Sequence, residues 1–160
     1  MTMRATIELS PIAGVWISVV PLLVAAAFAV TPWQTVAQYS AADRFPFDRA
    51  AFVAGDAAAA RRFTGYLRPA DRAGVANVDF RRRVVVAALS QVPDSCFKLQ
   101  IVRLRRIRAT LVVTAAIRPP PREVACILVV GWAYHVVSIP RHLVARPLPR
   151  RVVLRRLPTR

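Results

Sequence analysis

The chain has 160 residues, enough for one domain of ordinary size, with 56% hydrophobic residues and a net charge of +16. Its eight acidic residues leave few candidates for general acid–base chemistry. There is no Gly-rich phosphate loop, no Gly-x-Ser-x-Gly elbow and no pair of carboxylates on one element, so a non-enzyme is expected.

All but one of the 24 cations are Arg, the exception being Lys98. That bias, with abundant Ala, Val and Pro, resembles the product of a G+C-rich genome. A charge this large still attracts polyanions.

Residues Pro11 to Val30 carry no charge, follow a short region holding Arg4 and contain Ala27-Phe28-Ala29. Small residues at those two alternate places match a signal-peptidase site. Residues 1–29 are therefore expected to be a secretory signal. An uncleaved anchor through residues 11–30 is the rival, because twenty apolar residues can span a bilayer. A buried core helix is the third reading. Glu8 and Pro21 count against a long, straight membrane helix. The expected location is extracellular or the bacterial cell envelope, with membrane attachment if the segment stays.

Residues 30–77 read as a linker followed by a helical lead-in. Thr31-Pro32 and the polar Gln34, Gln38 and Ser40 show no clear period. A helix is expected from Asp48, as cap, to Phe63, with Phe52, Ala59 and Phe63 on one face and Arg61-Arg62 suiting its C-terminal dipole. Gly55 weakens its middle. Arg68-Pro69-Ala70-Asp71 and Gly74 read as a loop.

Residues 78–140 read as strands, rich in Val, Ile, Leu, Thr and aromatics. Phe97, Leu99 and Ile101 alternate with Lys98 and Gln100, and the parity then slips at Val102 and Leu104. A β-bulge near Ile101-Val102 would produce that slip; so would a twist at a strand end. Val84-Val85-Val86 and Leu111-Val112-Val113 do not alternate, which fits central strands covered on both faces. Arg81-Arg82-Arg83 belongs at an exposed strand start. Val92-Pro93-Asp94-Ser95 is a turn, and Pro119-Pro120-Pro121 must be a turn or an edge. Arg105 to Ala109 lacks Gly and Asn, so a loop longer than a tight primed hairpin is expected there. Residues 141–160 hold seven Arg, no acid and three Pro, and read as a disordered tail.

Two cysteines in an exported chain suggest one disulfide, Cys96–Cys126. Two unrelated buried thiols, or a thiol nucleophile with His135 or His142, are the other readings. Two His without nearby carboxylates give no metal site, and no cofactor is expected.

One ordered set of blocks carries a resemblance: Val78-Asp79-Phe80, Val84 to Leu89, Leu99 to Leu104, Leu111 to Thr114, the triple proline, and Tyr134-His135-Val136-Val137-x-Ile139-Pro140. In that order they resemble the PrcB-type C-terminal domain, found in a subunit of an exported bacterial protease complex. The resemblance covers about Val75 to Arg141, and the Tyr-His block is its most specific part. Where the family usually has Thr/Ser-Gly-Gly-Tyr, this chain has Asp94-Ser95-Cys96-Phe97. Where it often has Thr-x-Pro, this chain has Gly131-Trp132-Ala133. The resemblance implies an all-β domain that binds or stabilises a protein partner, and supplies no catalytic residues.

The expectation is thus a mainly β protein: a small antiparallel β-sandwich-like domain with one N-terminal helix, preceded by a signal segment. Its expected role is non-catalytic, an accessory or interaction domain at the envelope whose partner is another exported protein, a protease in the resembling family. Trp132, Tyr134 and His135 are the candidate partner-binding residues. The alternative is a binder of anionic lipid or cell-wall polymer acting through the Arg-rich tail. Nucleic acid is not expected as a partner of an exported chain.

Overall fold

The computed structural model describes residues 33–41, 45–126, 129–144, 147–149 and 151–157. The expected signal segment lies outside these residues. Among them no helix is long and apolar enough to cross a membrane.

The described residues form strands β1 (Gln34–Ala41) and β2 (Arg49–Ala54), helices α1 (Ala57–Thr64) and α2 (Pro69–Ala76), then strands β3 (Arg83–Val92), β4 (Lys98–Ile107), β5 (Thr110–Arg118), β6 (Gly131–Pro140) and β7 (Arg151–Arg156). A 3-10 turn, Arg141–Val144, follows β6. The first sheet has the order β1-β6-β3-β2 and the second β4-β5-β7. All pairs are antiparallel except β5 with β7.

The first sheet is covered on both faces. Alternate residues of β3 explain why. Val84, Val86 and Ala88 face the second sheet, packing with Leu99, Ile101, Val113 and Ala115. Val85, Ala87 and Leu89 face the helices, packing with Phe63, Leu67 and Val75. The unbroken apolar run of β3 is thus two period-2 patterns superposed, as expected of a strand buried on both faces. The β6 residues divide the same way. Tyr134 and Val136 look to the helices, whereas Ala133, Val137 and Ile139 look to the second sheet.

The parity slip in β4 is a bulge. Pairing with β5 runs through Ile101↔Ala115 and resumes at Arg103↔Thr114, which leaves Val102 unmatched. Leu99 and Leu104 can therefore both reach the core although five residues separate them.

Several expectations are corrected. Where a linker was expected over 30–41, the described part is a strand: Gln34–Ala41 is β1, paired with β6. The helix expected over 48–63 is two elements: Arg49–Ala54 pairs with β3 as an edge strand, and α1 begins only after Asp56. Asp56, not Asp48, is the cap, and its carboxylate accepts from Ala59 N at 2.7 Å. The Arg68–Gly74 loop is a second helix, with Pro69 in its first turn. Val78 to Phe80 lies in the connection from α2 to β3, and β3 starts at Arg83.

The connection after β4 is a two-residue hairpin, because Ile107 pairs with Thr110. Arg108 supplies the positive φ of 53° that a Gly or Asn would normally provide, at a cost of about 1 kcal/mol. The tail is not wholly disordered. Val152 and Leu154 join the core, and β7 zips onto β5. A three-residue apolar run cannot build a strand alone, but it can extend a sheet edge that already exists.

Both cysteines lie outside strands. Cys96 is in the turn before β4 and Cys126 in the connection from β5 to β6. They are bridged, with Cα atoms 5.9 Å apart, an ordinary separation for a disulfide. Asp94 shapes the same turn, its Oδ1 accepting from Cys96 N at 2.8 Å.

Gly131 of β6 presses against this turn. A Cβ there would sit 2.8 Å from Ser95 N and 2.9 Å from the Asp94 carbonyl carbon. These are backbone atoms that cannot swing aside. Gly131→Ala is therefore expected to destabilise the fold by about 1–3 kcal/mol, read as a lowered urea midpoint. An unchanged midpoint would mean that the turn is looser than it looks.

Candidate functional site

The densest set of polar and aromatic side chains lies where the α1–α2 corner meets β1 and β6. The chain turns sharply there because α1 ends at Thr64 and Pro69 fixes the first turn of α2. Arg72 holds the corner closed: its Nε donates to Leu67 O at 2.8 Å and its Nη2 to Gly65 O at 3.1 Å. Both carbonyls belong to the connection between the two helices, past the end of α1.

Tyr134 reaches this corner from β6. Its hydroxyl donates to Asp71 Oδ2 at 2.5 Å and accepts from Arg68 N at 3.3 Å. Arg68 Nε donates to the same Asp71 oxygen at 2.8 Å. The Arg68 guanidinium carbon lies 3.7 Å above the centre of the Tyr39 ring, a cation–π arrangement. A strand, a helix start and a second strand are thus tied through one carboxylate.

The titration of this group follows from its contacts. Burial pushes the Asp71 carboxyl up, but the hydrogen bonds from Arg68 and Tyr134 outweigh it and hold the group below its ordinary value. Burial, then the bond to Asp71, pushes the Tyr134 phenol up to about 12. The Arg68 guanidinium is raised by its bond to Asp71. Asp71 stays charged and Tyr134 stays a donor, so the triad fixes shape.

Beside it opens a cleft of about 340 Å³ lined by Tyr39, Phe45, Tyr66, Arg68, Trp132 and Tyr134, among others. Its aromatic wall is well supported. Tyr66 stands edge-on to Phe47 at 5.1 Å and to Phe45 at 6.0 Å. Phe47 leads inward to Phe52, and Phe52 to the fully buried Phe63. Tyr66 itself is 36% exposed. Trp132 is half-buried against the helix-side core. Its indole Nε1 is shielded from solvent and has no acceptor among the described residues, an unmade hydrogen bond that costs about 1–3 kcal/mol.

Trp132 and Tyr134 therefore share a site. His135 does not, because the next residue on a strand points to the opposite face. It is 3% exposed and lies between the two sheets. Its Nδ1 accepts from Ile101 N at 2.8 Å, and its Nε2 lies 3.0 Å from Thr35 Oγ1. The first bond makes Nδ1 the bare nitrogen, so Nε2 carries the proton and donates it to Thr35. Gln38 does a parallel job, its Nε2 donating to Leu99 O at 2.8 Å. Leu99 and Ile101 lie on β4, an edge strand whose open backbone groups these two side chains occupy. His135 as a partner-binding residue is thus corrected: it seals an edge.

Asp94, Cys96 and Cys126 gather their ligand atoms within 4.8 Å. The two sulfurs are joined to each other, so they offer no thiolate to a metal.

Tyr39, Tyr66, Arg68 and Asp71 were not anticipated for the site. Arg68-Pro69-x-Asp71 did carry a usable signal: Pro in the first turn of a helix, with an acid following, marks a helix start. Nothing local announces that Tyr39 and Tyr134 become neighbours, with ring centres 6.0 Å apart.

No family model, no curated protein and no solved structure matches this chain.

Proposed function

We propose that the chain is a non-catalytic interaction domain of the bacterial cell envelope that grips a segment of another exported protein in the aromatic cleft. The observation that carries the reading is the Trp132 indole N–H, left without an acceptor in the wall of a cleft built from Tyr39, Phe45 and Tyr66. A peptide carbonyl reaches it once the side chains that now shield it move aside, and then completes the missing hydrogen bond, while apolar side chains fill the space beside the rings. Aromatic anchors in a supported pocket are what partner recognition uses for most of its energy. The resemblance to the PrcB-type domain implies the same class of role, with a protease as the kind of partner. Export rests on residues 1–29 acting as a signal.

The test is capture of a partner from an envelope extract. Trp132→Phe keeps a six-membered ring and removes the indole donor with its five-membered ring; Tyr66→Ser removes an exposed ring. Each is expected to weaken capture at least tenfold while circular dichroism stays unchanged. Capture at full strength by both folded variants would reject the cleft as the binding site. Deleting residues 141–160 is not a neutral control, because it removes β7 and Leu154 from the core.

A further inference from the structure

The outer face of the second sheet is a separate surface, on the far side of the molecule from the helices. Leu99, Ile101, Leu111, Val113, Ala115 and Leu154 point inward. The residues between them point out, and the register sets them in rows. Lys98 lies beside Arg118, Arg103 beside Thr114 beside Arg155, Arg105 beside Val112 beside Val153, and Thr110 beside Arg151. Six cations thus share one face: Lys98, Arg103, Arg105, Arg118, Arg151 and Arg155, all exposed.

No acidic residue occurs in β4, β5 or β7. The ion pairs among the described residues, Arg68–Asp71 and Arg82–Asp79, lie elsewhere. Of the six side chains, only that of Arg118 has a hydrogen-bond partner among the described residues, Gln100 at 3.1 Å. Val112 and Ala116 belong to neither core yet are 9% and 7% exposed. Val112 is paired with Arg105 and Val153, and Ala116 with Gln100; the long stems of Arg105 and Gln100 can cover them while the polar ends stay in water. The face is three strands wide, about 10 Å, and about 25 Å long.

We propose that this face is a docking surface for an anionic lipid bilayer. Six cations held on one plane, with no ion pair to any of them among the described residues, repel each other, and a plane of phosphate headgroups relieves that repulsion at every position at once. The shape argues for a plane. No aromatic ring stands among these cations to stack on a base, and no helix or ribbon rises from the sheet to enter a nucleic-acid groove. The inference is independent of the cleft, which lies on the helix side of the first sheet. It also moves the attraction for anions from a free tail to a folded surface, to which the tail contributes Arg151 and Arg155 through β7.

The test compares binding of the full chain to phosphatidylcholine vesicles with binding to vesicles holding 30% phosphatidylglycerol, at physiological salt. The apolar stretch 11–30 is the same in every variant and acts on both vesicle types, so the ratio between them isolates the charge contribution. One variant carries Arg103→Gln, Arg105→Gln and Arg155→Gln. Its control carries Arg61→Gln, Arg62→Gln and Arg81→Gln, which removes the same charge away from the face. Each cation at an anionic surface strengthens binding about fivefold. The face variant is therefore expected to lose about a hundredfold of the preference for the charged vesicles, and the control little of it. Should the face variant melt early, Lys98→Gln with Arg118→Gln at the other end of the face replaces it, with about a twentyfold loss expected. Equal losses in face variant and control would overturn the proposal, leaving only net charge. So would the absence of any preference for the charged vesicles, or displacement from them by a stoichiometric 20-base-pair duplex.

Discussion

Cys96→Ala is expected to lower the stability of the fold by about 3–4 kcal/mol. The bridge closes a loop with a sequence separation of 30, and the chain-entropy model gives that magnitude for such a loop. The loop is not a passive one. It contains β4, β5 and the connection that carries the chain from the second sheet back to β6 of the first. Cys126 pins that connection to the turn that starts β4, and Gly131 packs on the same turn. Without the bridge, the connection from Pro119 onward must be ordered by packing alone. Urea unfolding of the oxidised protein and the variant measures the difference, and thiol titration of the folded wild type should find no free cysteine. A loss below about 1 kcal/mol, or two titratable thiols in the folded protein, would contradict the account.

The second large effect is a loss of stability in mild acid, through His135. Burial lowers its imidazole from 6.5 to about 4. A depressed value means that the unfolded chain takes up the proton first. The stability is fully present above about pH 6.5 and is lost as the pH falls towards 4. The loss over that interval is about 2–3 kcal/mol. Protonation would also put a proton on Nδ1, the atom that now accepts from Ile101 N, so the edge of β4 would open where the bulge begins. His135→Gln should be less stable at pH 7 but should lose most of the pH dependence between 6.5 and 4. Asp71 acts in a different window: its lowered value makes its contribution fall away only as the pH drops below the ordinary carboxylate range. A wild-type stability that is flat from pH 7 to 4.5 would contradict the assignment of the neutral imidazole.

Much of the β-domain was legible because its signals are local. The parity slip at Val102 marked a real bulge, and the unbroken valine runs of β3 and β5 marked the central strands of their sheets, although only β3 packs into a core on both faces and Val112 of β5 lies on the outer face of the second sheet. The misreadings share one cause. In 49–54, Phe52 fits a helical face with Ala59 and Phe63, but Ala51 and Val53 against Phe52 fit a two-faced strand equally well, and pairing with β3 decided the matter. Gly55-Asp56 was the available clue that a strand ends and a helix is capped. Gln34–Ala41 and Arg151–Arg156 become strands only because β6 and β5 offer them an edge, a contact made across more than ninety residues in one case and about forty in the other. Of the site, Tyr134 was legible as the aromatic residue of the most specific block, and Trp132 as the aromatic residue just before it. The separation of His135 from Tyr134 follows from strand alternation alone, whereas the face that Trp132 and Tyr134 occupy is set by the helices that pack there.

Photo-crosslinking from inside the cleft measures most directly whether a partner is held there. A benzophenone side chain at position 66, on the exposed rim of the cleft, would be activated in cells producing the protein; a second at position 143, on the exposed turn after β6, serves as reference. The expected result is one discrete protein adduct from position 66 that disappears with Trp132→Phe and is absent from position 143. Identical adducts from both positions, or an adduct from position 66 that Trp132→Phe leaves untouched, would contradict the assignment of the cleft as the site where a partner is held.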